Sequence, residues 1–408
     1  MVKNKNQKRI LLIHRFFFPD SPPYAIILED MRKMLISQGY LVDVLSSQPS
    51  YKQSDKDKKR DIKTEESDGS IIYRLPVFKF DNKMSKLLNF FWFPIVVFFF
   101  LLFSKKYDVI TVSTAPQVLL AFFVSLVAKL KSSHLIYHCM DIHPEIGRIS
   151  GEFSNRFIFN FLTWMDNITC NISANIIVLS SDMKSSLLKR NKGLKEKIVV
   201  VNNYDLTLNE KFEKDYFTND TQIRRVVFTG NIGRYQNLEY FVQALLGRKS
   251  LENFELVFVG EGSALDELKS LAEPLEKNVK FIPHQTIAVA RKIISEADMG
   301  IVSLQDKIIQ YAYPSKTMTY LAEGTPILLN TDAQSEIAQF ISSKKIGVQV
   351  DAKNLDEIYD IYKKLSQSEL RHERKYVQKV FENNFSKKIY DQKISKLFKD
   401  ILKQSYKE

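Results

Sequence analysis

Residues 226–234 read VVFTGNIGR. The apolar run Val226–Thr229 ends in the turn Gly230-Asn231-Ile232-Gly233-Arg234, and a helical pattern around Leu238–Leu246 follows. A buried strand that delivers a glycine turn into a helix is the opening unit of a doubly wound α/β domain. Downstream, strand-like runs recur at Leu256–Gly260, Val279–Ile282, Gly300–Leu304 and Ile327–Leu329. Upstream they fall at Ile10–Phe18, Leu41–Ser47, Ile71–Val77, Val109–Ser113, Leu135–Asp141, Ile176–Leu179 and Lys197–Val201, again with helical segments between them. Such alternation means parallel sheets covered by helices on both faces.

At 408 residues the chain exceeds what one core usually serves, so the pattern is read as two Rossmann-like domains. The polar connector Asn202–Tyr216 marks their junction. The expected division is a first domain over 1–205, a second over 206–385, and a C-terminal amphipathic helix over 386–408 that crosses back to the first. The polar, charge-mixed stretch Tyr51–Gly69 is expected to be a loop.

With 45% hydrophobic and 26% charged residues the chain is globular. Its net charge of +12 and its 29 phenylalanines suggest a membrane surface as partner. Nucleic acid is set aside, because there is no zinc-finger spacing, RNA-recognition signature or single basic stripe. Two cysteines, Cys139 and Cys170, make neither a metal-type spacing nor a disulfide framework, which fits the reducing cytoplasm. The run after the basic N-terminus is interrupted by His14 and Arg15 and does not read as a signal peptide.

Leu87–Phe103 is seventeen residues without a charge, flanked by Lys83, Lys86, Lys105 and Lys106. It lies at the short limit for a span, holds Pro94 near its middle, and as a span would split one sheet across a bilayer. Two readings stay open: a buried helix, or a helix whose Phe and Trp92 face enters one leaflet while lysines meet anionic headgroups. The second is preferred, since a buried helix needs no flanking lysines. Leu119–Leu130 is also apolar and extends the patch.

Ligands of α/β sheets collect at the carboxyl ends of strands, and four segments fall there. Pro19-Asp20-Ser21-Pro22-Pro23 precedes the helix Tyr24–Ser37. Cys139-Met140-Asp141-Ile142-His143-Pro144-Glu145 places three titratable side chains within five residues. Asp141 is the candidate to orient or deprotonate a hydroxyl; His143 and Glu145 are candidates for ligand contact or for structural pairing. In the second domain Gly230 and Gly233 allow close backbone approach, and Arg234 offers a fork for a diphosphate. The order G-x-G-x-x-G is missing, which argues against a nicotinamide enzyme. Val259-Gly260-Glu261-Gly262 ends the next strand. Ser315 and Lys316 open a helix that stops at Gly324, where free N–H groups and a cation suit a diphosphate. A plain turn and an ordinary capped helix are the alternatives.

Together, F-F-P-D-S-P-P, D-I-H-P-E, V-N-N-Y-D, G-N-I-G-R-Y-Q-N-L, V-G-E-G and P-S-K-T-M-T-Y-L-A-E-G-T-P-I resemble family 4 glycosyltransferases over nearly the whole chain. Within that family the resemblance is to fucosamine-transferase-like and colanic-acid-type enzymes of bacterial surface polysaccharides. It implies a GT-B fold with two domains facing across a cleft, and transfer that retains anomeric configuration without a metal or cofactor. The co-substrate is a nucleotide sugar, UDP-linked in preference to GDP-linked. Its binding falls to Gly230, Asn231, Gly233, Arg234, Gly260, Glu261, Ser315, Lys316, Thr319 and Glu323. A lipid-linked acceptor falls to Asp20, Tyr24, His143 and Glu145. Asp141, Arg234 and Lys316 are the catalytic candidates, the two cations neutralising the leaving diphosphate.

The implied place of action is the cytoplasmic face of the bacterial plasma membrane, for capsule, exopolysaccharide or O-antigen assembly. The departures from the family pattern are Tyr311 and Thr319 where it carries two glutamates, and Met140 where many relatives carry histidine. Glu323, one turn beyond Thr319, is the substitute expected at the ribose. The alternative is a transferase-like accessory subunit supporting a partner glycosyltransferase.

Overall fold

The computed structural model describes residues 7–20, 22–49, 63–78, 83–114, 118–151, 154–206, 215–217, 222–370 and 373–404. The chain divides into two compact units, Met1–Asn202 with Tyr390–Glu408, and Asn203–Ile389. The division puts Asn203–Asp205 with the second unit, where the sequence reading had assigned them to the first.

The strands of the first unit are β1 (Arg9–Ile13), β2 (Leu41–Ser47), β3 (Lys63–Ser67), β4 (Ser70–Leu75), β5 (Val109–Ser113), β6 (His134–His138), β7 (Asn175–Val178) and β8 (Ile198–Val200). Its helices are α1 (Pro23–Ser37), α2 (Lys83–Phe103), α3 (Leu119–Leu130), α4 (Glu145–Ile149), α5 (Arg156–Ile172) and α6 (Ser181–Arg190). The sheet order is β3-β4-β2-β1-β5-β6-β7-β8, parallel except where β3 pairs antiparallel with β4. β1 is therefore flanked by β2 and β5, and the winding direction reverses between β1 and β5. That reversal is the place where α/β sheets accept ligands. Ile10–Ile13 are fully buried, as a central parallel strand covered on both faces requires.

The expected loop at Tyr51–Gly69 is corrected in part. Residues 51–62 lie outside the described residues, but Lys63–Ser67 form the edge strand β3. Its charged sequence KTEES hides a strand because an edge faces water and blocks further pairing.

The second unit contains β9 (Arg224–Thr229), β10 (Phe254–Val259), β11 (Val279–Ile282), β12 (Met299–Ser303), β13 (Ile327–Asn330) and β14 (Gly347–Val350). Its helices are α7 (Glu239–Gln243), α8 (Leu265–Ala272), α9 (Ile287–Glu296), α10 (Lys316–Ala322), α11 (Glu336–Lys344), α12 (Leu355–Ser366) and α13 (Arg374–Phe385). The fully parallel order is β11-β10-β9-β12-β13-β14, which places the reversal between β9 and β12, beside the Gly230 turn. β14 escaped the sequence reading. A Cβ at its Gly347 would lie 2.1 Å from the Ile327 carbonyl oxygen, so this glycine marks close strand approach rather than a break.

The last helix, α14 (Lys387–Gln404), counts with the first unit from Tyr390 onward. Within that unit Ser395 Oγ donates to Gln38 Oε1 at 3.1 Å. Helix α2 is two-faced: Phe93, Val97 and Leu101 are buried, whereas Phe91, Trp92, Phe99 and Phe103 are exposed. Among the described residues no helix is long and apolar enough to cross a membrane.

Short α10 is held to the sheet through Tyr320, whose ring is fully buried against Gly300. The Thr229 N–H donates to Tyr320 Oη at 3.0 Å, so the donor at the end of β9 is satisfied by a helix side chain. Gly324, at φ +72°, closes α10, and the Thr325 N–H reaches back to the Tyr320 carbonyl at 2.8 Å. Tyr320→Phe should leave the Thr229 N–H unpaired in the interior and cost about 1–3 kcal/mol, measured by urea denaturation. An unchanged midpoint would mean that this bond does not anchor α10.

Candidate functional site

Three loops interlock at the carboxyl edge of the second sheet. Gly230 (φ +108°) and Gly260 (φ +136°) follow β9 and β10, and a Cβ at Gly260 would sit 2.1 Å from the Gly230 carbonyl oxygen. Neither position tolerates a side chain without moving backbone. The Ile232 N–H donates to the Glu261 carbonyl at 2.8 Å, and the Gly233 N–H to Gln236 Oε1 at 3.0 Å. From the loop after β12, the Gln305 N–H reaches the Tyr235 carbonyl at 2.9 Å, and Gln305 Nε2 the Arg234 carbonyl at 3.1 Å. Asn231, Arg234 and Glu261 are exposed on this platform.

Lys316 is the unusual group. It stands one helical turn before the anchored Tyr320, and residues four apart share a helix face. Its Nζ is buried without a hydrogen-bond partner among the described residues and lies 3.6 Å from the centroid of the Phe228 ring. A Cβ built on Gly230 would lie 3.2 Å from Lys316 Cε, so the ammonium sits directly against the glycine turn. Burial lowers its pKa from 10.5 to about 7. The ring face offers a weak attraction for a cation, which does not replace lost water. An ammonium in this position is poised for an anion.

The opening of α10 differs from the expectation of free N–H groups. Thr317 and Met318 donate theirs to the carbonyls of Pro314 and Ser315, each at 3.1 Å, and Ser315 makes no side-chain cap. The positive character of this corner therefore rests on the Lys316 side chain more than on the helix end. Thr319 lies partly buried on the same helix. Glu323 is engaged elsewhere: its carboxylate pairs with Arg291 at 2.5 Å, and Arg291 also pairs with Asp205 at 2.7 Å. Burial, opposed by Arg291, holds the Glu323 carboxyl above its ordinary pKa. Glu323 would have to leave this pair to reach a ribose.

In the first unit, His14 follows β1, Ser113 ends β5 and His138 ends β6, so three neighbouring strands bring these residues to one edge. His14 Nδ1 and Ser113 Oγ are 2.5 Å apart, and Tyr24 Oη meets His138 Nδ1 at 2.8 Å. Burial lowers both histidines to about 3 and His143 to about 4, so all three are neutral near pH 7. Tyr24, expected at the acceptor, is thus tied to His138. Asp20 and His143 are buried, and Asp141 is partly so. Glu145 pairs with Arg190 at 3.4 Å, and Arg190 with the buried Asp166 at 2.6 Å.

Sequence reasoning did not single out His14, Ser113, His138, Arg190 or Phe228 at these edges. His14, Ser113 and His138 each sit at or directly after a strand's last residue, and that position is the signal that could have found them. For Arg190 and Phe228 the determinant is packing.

Residues 272–396 match a family profile described as the C-terminal domain of glucosyltransferase 3-like proteins. The chain is 21% identical over 351 residues to the putative colanic acid biosynthesis glycosyl transferase WcaI of Escherichia coli K12, covering 81% of this chain and 85% of that protein. It is 24% identical over 312 residues to the probable glycosyltransferase WbjE of Pseudomonas aeruginosa, covering 74% and 77%. Among solved structures it superimposes on sucrose-phosphate synthase from Thermosynechococcus elongatus with a TM-score of 0.73 at 13% identity, covering 98% and 100% of the two chains. Anabaena HepE, solved with UDP-glucose, superimposes with a TM-score of 0.62 at 13% identity, covering 96% and 99%. Fold and relatives define the class, a glycosyltransferase of GT-B architecture. Within that class the chain is similar to the bacterial enzymes of surface-polysaccharide biosynthesis, in line with the motif resemblance.

A buried cation lowers stability most where it is charged in both states. With the Lys316 pKa depressed in the fold, the unfolded chain holds the extra proton between about pH 7 and ~10.4, so folding stability rises with pH across that window. Lys316→Met removes this slope. In thermal and urea denaturation the variant should exceed the native chain by roughly 2–4 kcal/mol below pH 7, with the gap narrowing toward pH 10. A pH-independent gap would contradict burial of the ammonium.

Proposed function

We propose that this chain transfers a sugar, with retention, from a nucleoside-diphosphate donor to a polyprenyl-diphosphate-linked acceptor in assembly of a bacterial capsule, exopolysaccharide or O-antigen. The observation that carries the donor half is the buried Lys316 ammonium against the Gly230 turn, without a hydrogen-bond partner among the described residues. A diphosphate would supply the counter-charge that the fold withholds, and Lys316 with Arg234 would stabilise it as it departs. Gly230, Asn231, Gly233, Gly260, Glu261, Ser315, Thr319 and Glu323 form the proposed surroundings of the donor. UDP is the favoured carrier, in keeping with the nucleotide named for HepE. No metal or other cofactor enters the proposal.

On the first unit Asp141 is the proposed group that orients the acceptor hydroxyl, with Asp20, Tyr24, His143 and Glu145 around it. The exposed face of α2 is the proposed contact with the cytoplasmic leaflet, where a lipid-linked acceptor resides. One observation favours a second reading, an accessory subunit of a partner transferase: Tyr311 and Thr319 are not acidic, and Glu323 is occupied by Arg291.

Turnover by the isolated chain separates the two. Supplied with UDP- and GDP-sugars and a polyprenyl-diphosphate-linked acceptor, the purified protein should release nucleotide and form product, and Lys316→Ala should lower kcat by about 10²–10³-fold. Turnover insensitive to that substitution would remove Lys316 from the reaction. A complete lack of product across the panel would favour the accessory reading.

A further inference from the structure

Helix α5 carries an apolar stripe that is left largely exposed among the described residues. Phe157, Phe161 and Trp164 recur at helical spacing and are 86%, 58% and 52% exposed, with Ile158 beside them. The buried residues of α5, Met165, Asp166, Thr169 and Cys170, all lie in its C-terminal half and anchor the helix, while residues 156–164 are exposed or half-buried. That surface is continuous with its neighbours. Trp164 lies 5.9 Å from Phe122 of α3, and Phe123 of α3 lies 5.6 Å from Phe98 of α2. Leu126 and Leu130 of α3 are exposed in the same layer.

The charges are one-sided. The sequences of α2, α3 and α5 contain Lys83, Lys86, Lys129 and Arg156 but a single acid, Asp166, and that acid is buried against Arg190. A wide aromatic and aliphatic face whose three helices carry basic residues and no exposed carboxylate complements an anionic lipid surface, where rings enter the headgroup boundary and cations meet phosphates.

We propose that the first unit docks on an anionic leaflet through a three-helix face in which α5 inserts Phe157, Phe161 and Trp164 alongside α2. This rests on the membrane reading of α2 and adds a second insertion element. The buried side of α5 also bears on the acceptor edge, because Asp166 holds Arg190 and Arg190 holds Glu145. A docked α5 thereby fixes the Glu145 loop at a set depth relative to lipid headgroups.

The chain contains two tryptophans, Trp92 on α2 and Trp164 on α5, so each helix can be read separately. Vesicles of phosphatidylcholine with phosphatidylglycerol, part of it brominated in the acyl chains, are added to the full-length Trp92→Phe and Trp164→Phe variants. Trp164, alone in Trp92→Phe, should shift to shorter wavelength and be quenched by bromine. The triple change Phe157→Ser, Phe161→Ser, Trp164→Ser should weaken sedimentation with these vesicles by about tenfold or more, with the chain still folded at the assay temperature, since among the described residues only the Trp164 ring gives up a ring contact outside the three, with Phe122.

Quenching of Trp92 without quenching of Trp164 would overturn the α5 proposal and leave the α2 reading standing. Silence from both would overturn both. Lipid-independent self-association in size-exclusion chromatography, abolished by the triple change, would assign the face to a protein partner and overturn the proposal.

Discussion

A buried ammonium group with no hydrogen-bond partner among the described residues sits at the second unit's carboxyl edge, and much of the surrounding structure holds it there. Lys316 projects from a helix of under two turns, which cannot be rigid on its own. Rigidity comes from Tyr320, locked between Gly300 and the end of β9, and from the Arg374 guanidinium, which binds the carbonyls of Ala297 and Glu323 at the far end of α10. The two glycines that face one another after β9 and β10 exclude side chains from the space beside the lysine. The fold thus accepts a local loss of stability at the point where an anionic ligand would return it, a common arrangement at binding sites.

The first unit is built on a contrasting principle. At its carboxyl edge burial keeps His14, His138 and His143 uncharged, and Asp166 and Glu145 share Arg190. On the proposed reading, an edge of this kind would position the acceptor hydroxyl by hydrogen bonds.

Much of this architecture was legible in the sequence. Parallel strands such as Leu41–Ser47 and Val109–Ser113 are largely apolar, β-branched-rich runs whose boundaries the structure reproduces, because burial on both faces leaves little alternation to misread. The stop of α10 before Gly324 was equally clear from the glycine. What escaped was set by tertiary context. The edge strand β3 is polar because it faces water, and β14 begins with a glycine that looks like a break but serves close packing. At the site, Lys316 and Gly230 could be named from their motifs, but their mutual contact and the Phe228 ring beneath the ammonium depend on how α10 packs on β9. The same holds for Glu323, whose partner Arg291 lies on another helix, and for the outward face of α5, whose exposure no periodicity could distinguish from burial.

The central claim is that a nucleoside diphosphate provides the missing counter-charge for Lys316. Calorimetric titration of the protein with UDP at about pH 8, repeated in buffers of different ionisation enthalpy, counts the protons taken up on binding. With a free-state pKa of about 7, binding should draw in roughly one proton, and Lys316→Met should bind more weakly with none. Tight UDP binding with identical proton counts in the native chain and the variant would contradict the account.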